Sequence, residues 1–576
     1  MRLVRISSNK ESFKEVMFKD GLNLVVADRT ETSAATDSRN GVGKTTLFQI
    51  IDYCLGGQVR EGDSLKKLEG GGWEFSLDTT IRGSAVRITR SVDETDVRIS
   101  GELEQLGLTP AEGAERRIGP GQWADWLGTE HFNLAPRGLR AAYEPTFRGL
   151  VRHFLRFRKD SYFDPFATFS GQPPAQVQVE NAFLLGLDWR LAVQWQQIKD
   201  RAKTLETLAK SDVEELGTTL AEVQSRRARE TAQLARLNES IAEFRVLPQY
   251  QETQARANAA AEQMRRLANQ VLLTSRELTL YREQLDVTTA EHRADVERLF
   301  AEVGVVFGEN LVRALDEVEH FHQTVARNRS AYLEAEITRL ERLQTERERR
   351  LQELEDSRQR DMLLLQSHGA LEDYAALQQR AGMLSASIEA AALRIGEIQA
   401  IRRGKAAIKS EIIELQDRAE RDLDERREAL SEILGNFSAV FEELYGTPAD
   451  LLVETTEAGY KFRAALPREG STGTGKMGIF AYDLVIAQAW TMRGQGPGFL
   501  AHDSVLFDGV DERQTAAAIA LASASASAEG FQYILTANSD DLTESEFERV
   551  KLPLDEHVVL RLTDADETGG ILGVRV

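Results

Sequence analysis

Between Pro174 and Pro448 the chain carries a single proline, Pro248. Proline has no amide hydrogen and breaks a helix interior, so a stretch of this length almost without it is free to run as long helices. Apolar residues recur there three or four apart: Leu205, Leu208, Leu216, Leu220 and Val223, then Leu234, Leu237, Ile241 and Phe244. The same spacing returns at Ile337, Leu340, Leu343, Leu351 and Leu354, and again at Leu393, Ile395, Ile398, Ile401, Ile408, Ile412, Ile413 and Leu415. Glu, Arg and Gln crowd the positions between, as the flanks of a coiled-coil seam do. Aromatics make up 7% and charged residues 28% of the 576 residues, which suits long helices and excludes a predominantly β protein. Pro248 is expected to break or kink the first limb, and Gly369, Gly382, Gly396 and Gly404 to soften the second. The apolar, glycine-bounded Val303–Gly308 and the patch Val318–His322 predict a turn-back tip near 300–325 in an arm spanning 190–440.

The flanking blocks, 1–189 and 441–576, read as mixed α/β. Leu3–Ile6 and Leu22–Val26 predict strands, Thr45–Leu55 a helix, and the alternation through Trp73, Phe75, Leu77, Val86 and Ile88 antiparallel strands. In the second block Leu451–Glu454 and Tyr460–Ala464 predict a hairpin, and Phe499–His502, Gln532–Thr536 and Val558–Leu562 buried strands. Neither block holds a full α/β core alone, and together they make one. The expected fold class is therefore α/β, a head split in sequence and interrupted by a long antiparallel coiled coil.

Within the first block Ser38-Arg39-Asn40-Gly41-Val42-Gly43-Lys44-Thr45-Thr46 matches a P-loop, with Ser38 where the first glycine is expected. Gly41 and Gly43 let backbone amides close around phosphate oxygens, and the following helix presents its positive end. Lys44 is placed to reach the β and γ phosphates and the Thr45 hydroxyl to ligate Mg²⁺. The polar stretch from Ala27 to Asp37 is either a nucleotide-covering flap or a solvated loop. A Mg²⁺–nucleotide site also needs a carboxylate at the end of a neighbouring strand, and Gly498–Asp503 supplies one in Asp503. A second glycine-rich turn at a helix start, Thr472-Gly473-Thr474-Gly475-Lys476, predicts a second anion contact, of use if it caps a nucleotide held by another subunit.

A P-loop in one block, a signature-like loop and an Asp-ended strand in the other, and a coiled coil between resemble the SMC-type ABC ATPases. The loop at Asp37–Thr45, the stretch Phe321–Leu333, the loop at Thr472–Lys476 and His502–Gln514 resemble more closely the bacterial YydD-like SMC-related family, members of which occur in antiphage defence modules. The resemblance implies ATP and Mg²⁺ as cofactors, two heads enclosing two ATP molecules, hydrolysis to ADP and phosphate, and a role as a DNA sensor or clamp in defence or genome maintenance. It implies as partners a second copy, accessory and effector subunits, and DNA held by backbone or ends. Two positions depart from the pattern. Ser504 stands where a glutamate usually orients the attacking water, so either Asp508, Asp511 or Glu512 takes that task or hydrolysis is slow. The histidine usual after the next strand is replaced by Thr536 or Asn538.

The net charge of -21 argues against a general nucleic-acid coat but leaves room for a local basic face. Arg148, Arg152, Arg156, Arg158 and Lys159, interleaved with Phe147, Phe154 and Phe157 on an expected helix, are either that face or a solvated one packed on the head. An ATP-switched scaffold that binds only proteins remains the alternative function. Gln172 and Gln176 read as turn residues and His502 as a satisfied core histidine. One cysteine, Cys54, excludes an internal disulfide, and with no bilayer-length apolar window or signal peptide the expectation is a cytoplasmic protein without membrane contact.

Overall fold

The computed structural model describes residues 1–574 except 29–41, 109–114, 137–141, 215–218, 244–247, 308–311, 366–370, 468–469 and 566–567. Side chains are further left undescribed at 208–214, 243, 248–251, 287–329, 364 and 371–372. The chain forms two compact units, one of Met1–Gln196, Leu299–Glu319 and Glu414–Val576, the other of Gln197–Arg298 and His320–Ile413.

In the first unit the chain lays down β1 (Arg2–Ser8), β2 (Val16–Met17), β3 (Gly21–Asp28) and α1 (Lys44–Cys54). Four strands follow: β4 (Glu74–Ile81), β5 (Ser84–Ser91), β6 (Val97–Gly101) and β7 (Glu115–Ile118). Next come α2 (Pro120–Phe132), α3 (Phe147–Leu150), β8 (Leu155–Arg156) and α4 (Pro174–Leu184). The helical middle comprises α5 (Trp189–Glu214), α6 (Leu220–Glu243), α7 (Pro248–Phe307), α8 (Val312–Leu365) and α9 (Leu371–Glu425). The last block adds α10 (Arg427–Tyr445), β9 (Asp450–Thr456), β10 (Gly459–Ala465), α11 (Thr472–Met492) and β11 (Phe499–His502). It closes with α12 (Glu512–Glu529), β12 (Gln532–Asn538), α13 (Glu544–Arg549), α14 (Leu554–His557) and β13 (Val558–Thr563).

Two large sheets organise this unit, beside the antiparallel β9–β10 pair. An antiparallel one runs β2-β1-β4-β5-β6-β7, and β4 alternates buried and half-buried residues as a sheet with one covered face should. The other runs β13-β3-β12-β11-β8 and every pairing in it is parallel. A parallel sheet covered on both faces needs continuous apolar strands, and β3 (GLNLVVAD) is buried at all but its last residue. β3 comes from the start of the chain, yet both of its neighbours, β12 and β13, come from the end. Side chains stitch the same seam. Gln532 accepts from the Leu3 amide at 2.7 Å and donates to the Leu3 carbonyl at 2.8 Å. Trp490 packs at 5.2 Å ring-centroid distance against both Phe132 and Phe183 and donates its indole N–H to the Leu184 carbonyl. The split α/β head is thus one core built from both blocks.

The expected basic helix over Arg148–Lys159 is absent. α3 ends at Leu150, a short 3₁₀ turn follows, and Leu155–Arg156 become β8 at the sheet edge. The arginines serve the interior. Arg156, 1% exposed, donates to the carbonyls of Ser161, Pro165 and Ala167 and pairs with Asp483 on α11, Nε to Oδ2 at 2.6 Å. Arg148 pairs with Asp52 at 2.5 Å, Arg158 with Asp63 at 3.2 Å, and Arg152 lies over the Phe169 ring. Burial holds the Arg152 guanidinium well below its ordinary pKa. A nucleic-acid surface needs solvent-facing cations, and here buried carboxylates, carbonyls and a ring engage the four arginines, while Lys159 stays exposed.

The second unit is all helix. Arg282 meets Glu341 at 2.6 Å and Arg347 meets the Gln270 carbonyl at 3.1 Å, so α7 and α8 are antiparallel. Asn258 donates to the Tyr374 hydroxyl at 3.2 Å and Asn269 to the Ala386 carbonyl at 2.7 Å, so α9 runs parallel to α7. The Arg226–Ser387 bond and the Arg201–Glu411 pair set α6 and α5 antiparallel to α9. Among the described residues, direction therefore reverses three times along α6–α9, where a single turn-back was expected. One reversal, between Phe307 and Val312, falls inside the expected 300–325. The first limb breaks at Pro248 as expected: α6 ends at Glu243, and Pro248 opens α7, where the missing amide hydrogen costs nothing. Gly369 falls between α8 and α9, outside the described residues, whereas Gly382, Gly396 and Gly404 lie inside α9 without interrupting it. At Gly404 the reason is a close approach: a Cβ there would stand 3.0 Å from Leu205 Cδ1. Among the described residues no helix is long and apolar enough to cross a membrane.

Candidate functional site

The C-terminal ends of β3, β11 and β12 lie side by side in the parallel sheet, the edge at which open α/β sheets bind ligands. Asn40, Gly41 and the polar stretch read as a flap fall outside the described residues, apart from Ala27 and Asp28 on β3. Val42 is buried, Gly43 caps α1 with φ +90°, and α1 begins at Lys44. That left-handed glycine turns the chain into α1, whose first residues Lys44 and Thr45 meet Asn538 and Asp503 at the sheet edge.

Thr45 donates its hydroxyl to Asp503 Oδ2 at 2.9 Å, across 458 positions of sequence. Asp503 follows β11 directly and is 1% exposed. Its backbone amide is held by the Tyr162 hydroxyl at 2.9 Å and the Arg156 carbonyl at 3.0 Å, while Oδ1 accepts from the Ser504 hydroxyl and the Val505 amide, both at 3.3 Å. Burial pushes the Asp503 carboxyl above its ordinary range, against the hydrogen bond from Thr45, the Val505 amide and the Lys44 charge. An unprotonated carboxylate there is a costly anion with a hydroxyl beside it, a pair of hard oxygen donors that suits Mg²⁺. These two side chains are the ones that would hold it.

The Lys44 ammonium donates to Asn538 Oδ1 at the end of β12, and Asn538 Nδ2 donates to Asp541 at 2.7 Å. Of the two residues offered in place of a histidine, Asn538 therefore meets the P-loop lysine. Thr536 is buried and accepts from the Ser504 amide at 3.1 Å. Thr46 is buried as well and donates its hydroxyl to Ser64 at 3.0 Å.

The acids proposed to replace glutamate separate clearly. Asp511 caps α12 by accepting from the Arg513 amide, and Glu512 accepts from Thr543 at 2.6 Å. Asp508 lies 3.9 Å from the Lys476 ammonium, and its side chain is as open as that of Asp511, 62% against 65% exposed. Lys476 itself donates to the carbonyls of Val505 at 2.5 Å and Asp508 at 2.9 Å, and burial lowers its pKa. The lysine expected to touch an anion thus braces the turn that follows Asp503. Thr472, Gly473, Thr474 and Gly475 form the first turn of α11, with Thr474 buried.

A buried polar chain that the sequence did not reveal lies beneath Asp503. Arg156 and His502 share Asp483, His502 Nε2 standing 3.1 Å from its Oδ2, and Tyr533 Oη lies 3.3 Å from His502 Nδ1. These contacts assign a neutral ring that donates from Nε2 and accepts at Nδ1, and burial lowers its pKa accordingly. His502 is thus a satisfied core residue. The signal available was Asp483, a lone carboxylate in the apolar run Ile479–Ala489. Gln172 precedes α4 whereas Gln176 lies on it, a correction to the turn expected there, and both donate to Glu180 on that helix, at 2.7 and 2.8 Å.

Comparison with known proteins gives little closer. A family model described as an uncharacterised protein conserved in bacteria (DUF2326) matches residues 440–576. No curated protein matches. Among solved structures, the chain is similar to the Smc head domain with a coiled coil and joint from Pyrococcus yayanosii, at 14% identity and TM-score 0.37 over 99% of this chain and 96% of that one. It is also similar to the Smc head domain with an extended coiled coil bound to the C-terminal domain of ScpA from Pyrococcus furiosus, at 12% identity and TM-score 0.34 over 94% and 90%. Both overlays are loose, and the head architecture stands on the chain's own strand order.

Proposed function

We propose that this chain is an SMC-like ATPase of the ABC type, binding ATP with Mg²⁺ at the P-loop and coupling it to dimerisation. The observation that carries the reading is the hydrogen bond between Thr45 and Asp503 at 2.9 Å. In it Lys44, the Gly43–Thr45 amides and, beyond them, Asn40 and Gly41 cradle the phosphates. Mg²⁺ supplies charge neutralisation at the phosphates; Thr45 and Asp503 orient it, and Asn538 steers Lys44. The Thr472–Gly475 turn of a second copy caps the nucleotide from the opposite side. With Ser504 at the usual glutamate position hydrolysis is slow, and Asp508, exposed beside Lys476, is the acid assigned to approach a neighbouring subunit. Lys44→Ala should abolish both Mg·ATP binding and ATP-induced dimerisation in sedimentation; a variant that still dimerises with ATP contradicts the reading.

The proposed role is an ATP-gated clamp or sensor on DNA, in antiphage defence or genome maintenance in the cytoplasm, with accessory and effector subunits. The second reading, a scaffold that signals through proteins alone, is favoured by one observation: Arg148, Arg152, Arg156 and Arg158 are engaged inside the head. Binding to linear DNA at low salt, with and without ATP, separates them. Binding that weakens steeply with salt supports the clamp, and none in any nucleotide state leaves the scaffold.

A further inference from the structure

The segment after β13 returns to the P-loop. The Thr563 amide donates to the Gly569 carbonyl at 3.1 Å, and the Ile571 amide donates to the Val42 carbonyl at 3.0 Å. The segment is tied down beyond that point. The Lys14 amide donates to the Ile571 carbonyl at 2.9 Å, the Lys14 ammonium to the Gly569 carbonyl at 2.7 Å, and the Ser12 hydroxyl to the Leu572 carbonyl at 2.8 Å. Ile571 is fully buried, and its Cγ2 lies 2.4 Å from where a Cβ on Gly43 would be. No side chain fits at Gly43 for that reason as well as for its φ.

A trans peptide points its carbonyl and its N–H in opposite directions. Fixing the Val42 carbonyl on Ile571 therefore aims the Gly43 N–H to the far side of that plane, away from the strap. A phosphate cradle needs its amides inward and its carbonyls satisfied elsewhere. We infer that Ile571 is a positioning residue of the phosphate loop: its amide and its β-branched methyl hold the Val42–Gly43 peptide in the anion-binding orientation. The inference rests on the reading of this loop as a nucleotide site. It also gives Gly569–Gly573 a task that no P-loop motif would reveal.

The test compares Ile571→Leu with Ile571→Val in the full chain. Leucine keeps the volume but lacks the methyl on Cβ, whereas valine keeps that methyl and loses only the terminal carbon. Both retain the amide and should melt near the wild type without nucleotide. Ile571→Leu should bind Mg·ATP about tenfold more weakly, the worth of one well-placed hydrogen bond. Ile571→Val should stay within about twofold. Equal affinity of the Leu variant and the wild type overturns the assignment. Wild-type protein that binds no ATP overturns the nucleotide site itself, a separate outcome. Should Ile571→Leu fail to fold, amide exchange on the wild type decides: added Mg·ATP should slow exchange at Ile571 and Gly43 together, and no change at Ile571 refutes the inference.

Discussion

Asp503 shows what the candidate site costs. Its folded pKa is raised by burial, so folding is penalised once pH exceeds the ordinary carboxyl range and the group must ionise. A bound cation offsets that penalty. Asp503→Asn keeps an acceptor for Ser504 and Val505 and removes the buried charge. Nucleotide-free melting should therefore rise, by roughly 1–3 °C, while the gain in melting temperature on adding Mg·ATP disappears. His502 gives the opposite dependence on pH. Burial lowers its pKa from the ordinary 6.5, so the unfolded chain takes up the proton first. The stability due to the neutral ring is full above pH 6.5 and is lost as pH falls below it. Melting measured from pH 8 to 5.5 should drop less steeply in His502→Gln than in the wild type. An unchanged slope places the acid sensitivity elsewhere, for instance at His153, whose pKa burial also lowers.

At the scale of elements, strong local signals were legible and long-range ones were not. β11 spans the Phe499–His502 expected from its apolar run, and β9, β10, β12 and β13 sit where alternation or continuous apolarity put them. β8 was hidden because its two residues lie among arginines, and cations read as surface until a partner such as Asp483 is known. The arm was legible as helix, yet heptad spacing reports a buried stripe and not which helix covers it, so the order of reversals stayed hidden. Cysteine pairs test that order. Asn269→Cys with Ala386→Cys, and Arg282→Cys with Glu341→Cys, should both be joined by a short bis-maleimide. A single hairpin turning near 310 sets 269 opposite about 350 and leaves the 269/386 pair unlinked.

At the scale of the molecule, the split head makes folding depend on both ends of the chain. β3 has no neighbour from its own block, since β12 and β13 flank it. A fragment of residues 1–196 should therefore show no cooperative melting, and adding 414–576 should restore it; cooperative melting of 1–196 alone contradicts the shared core. The same closure brings Thr45 to Asp503, and the functional reading depends on that meeting. Titration of Mn²⁺ in place of Mg²⁺, followed by electron paramagnetic resonance with ATP present, examines it most directly. Asp503→Asn should weaken Mn·ATP binding more than about tenfold while metal-free ATP binding changes little. Equal Mn·ATP affinity in variant and wild type would show that Asp503 does not serve the metal.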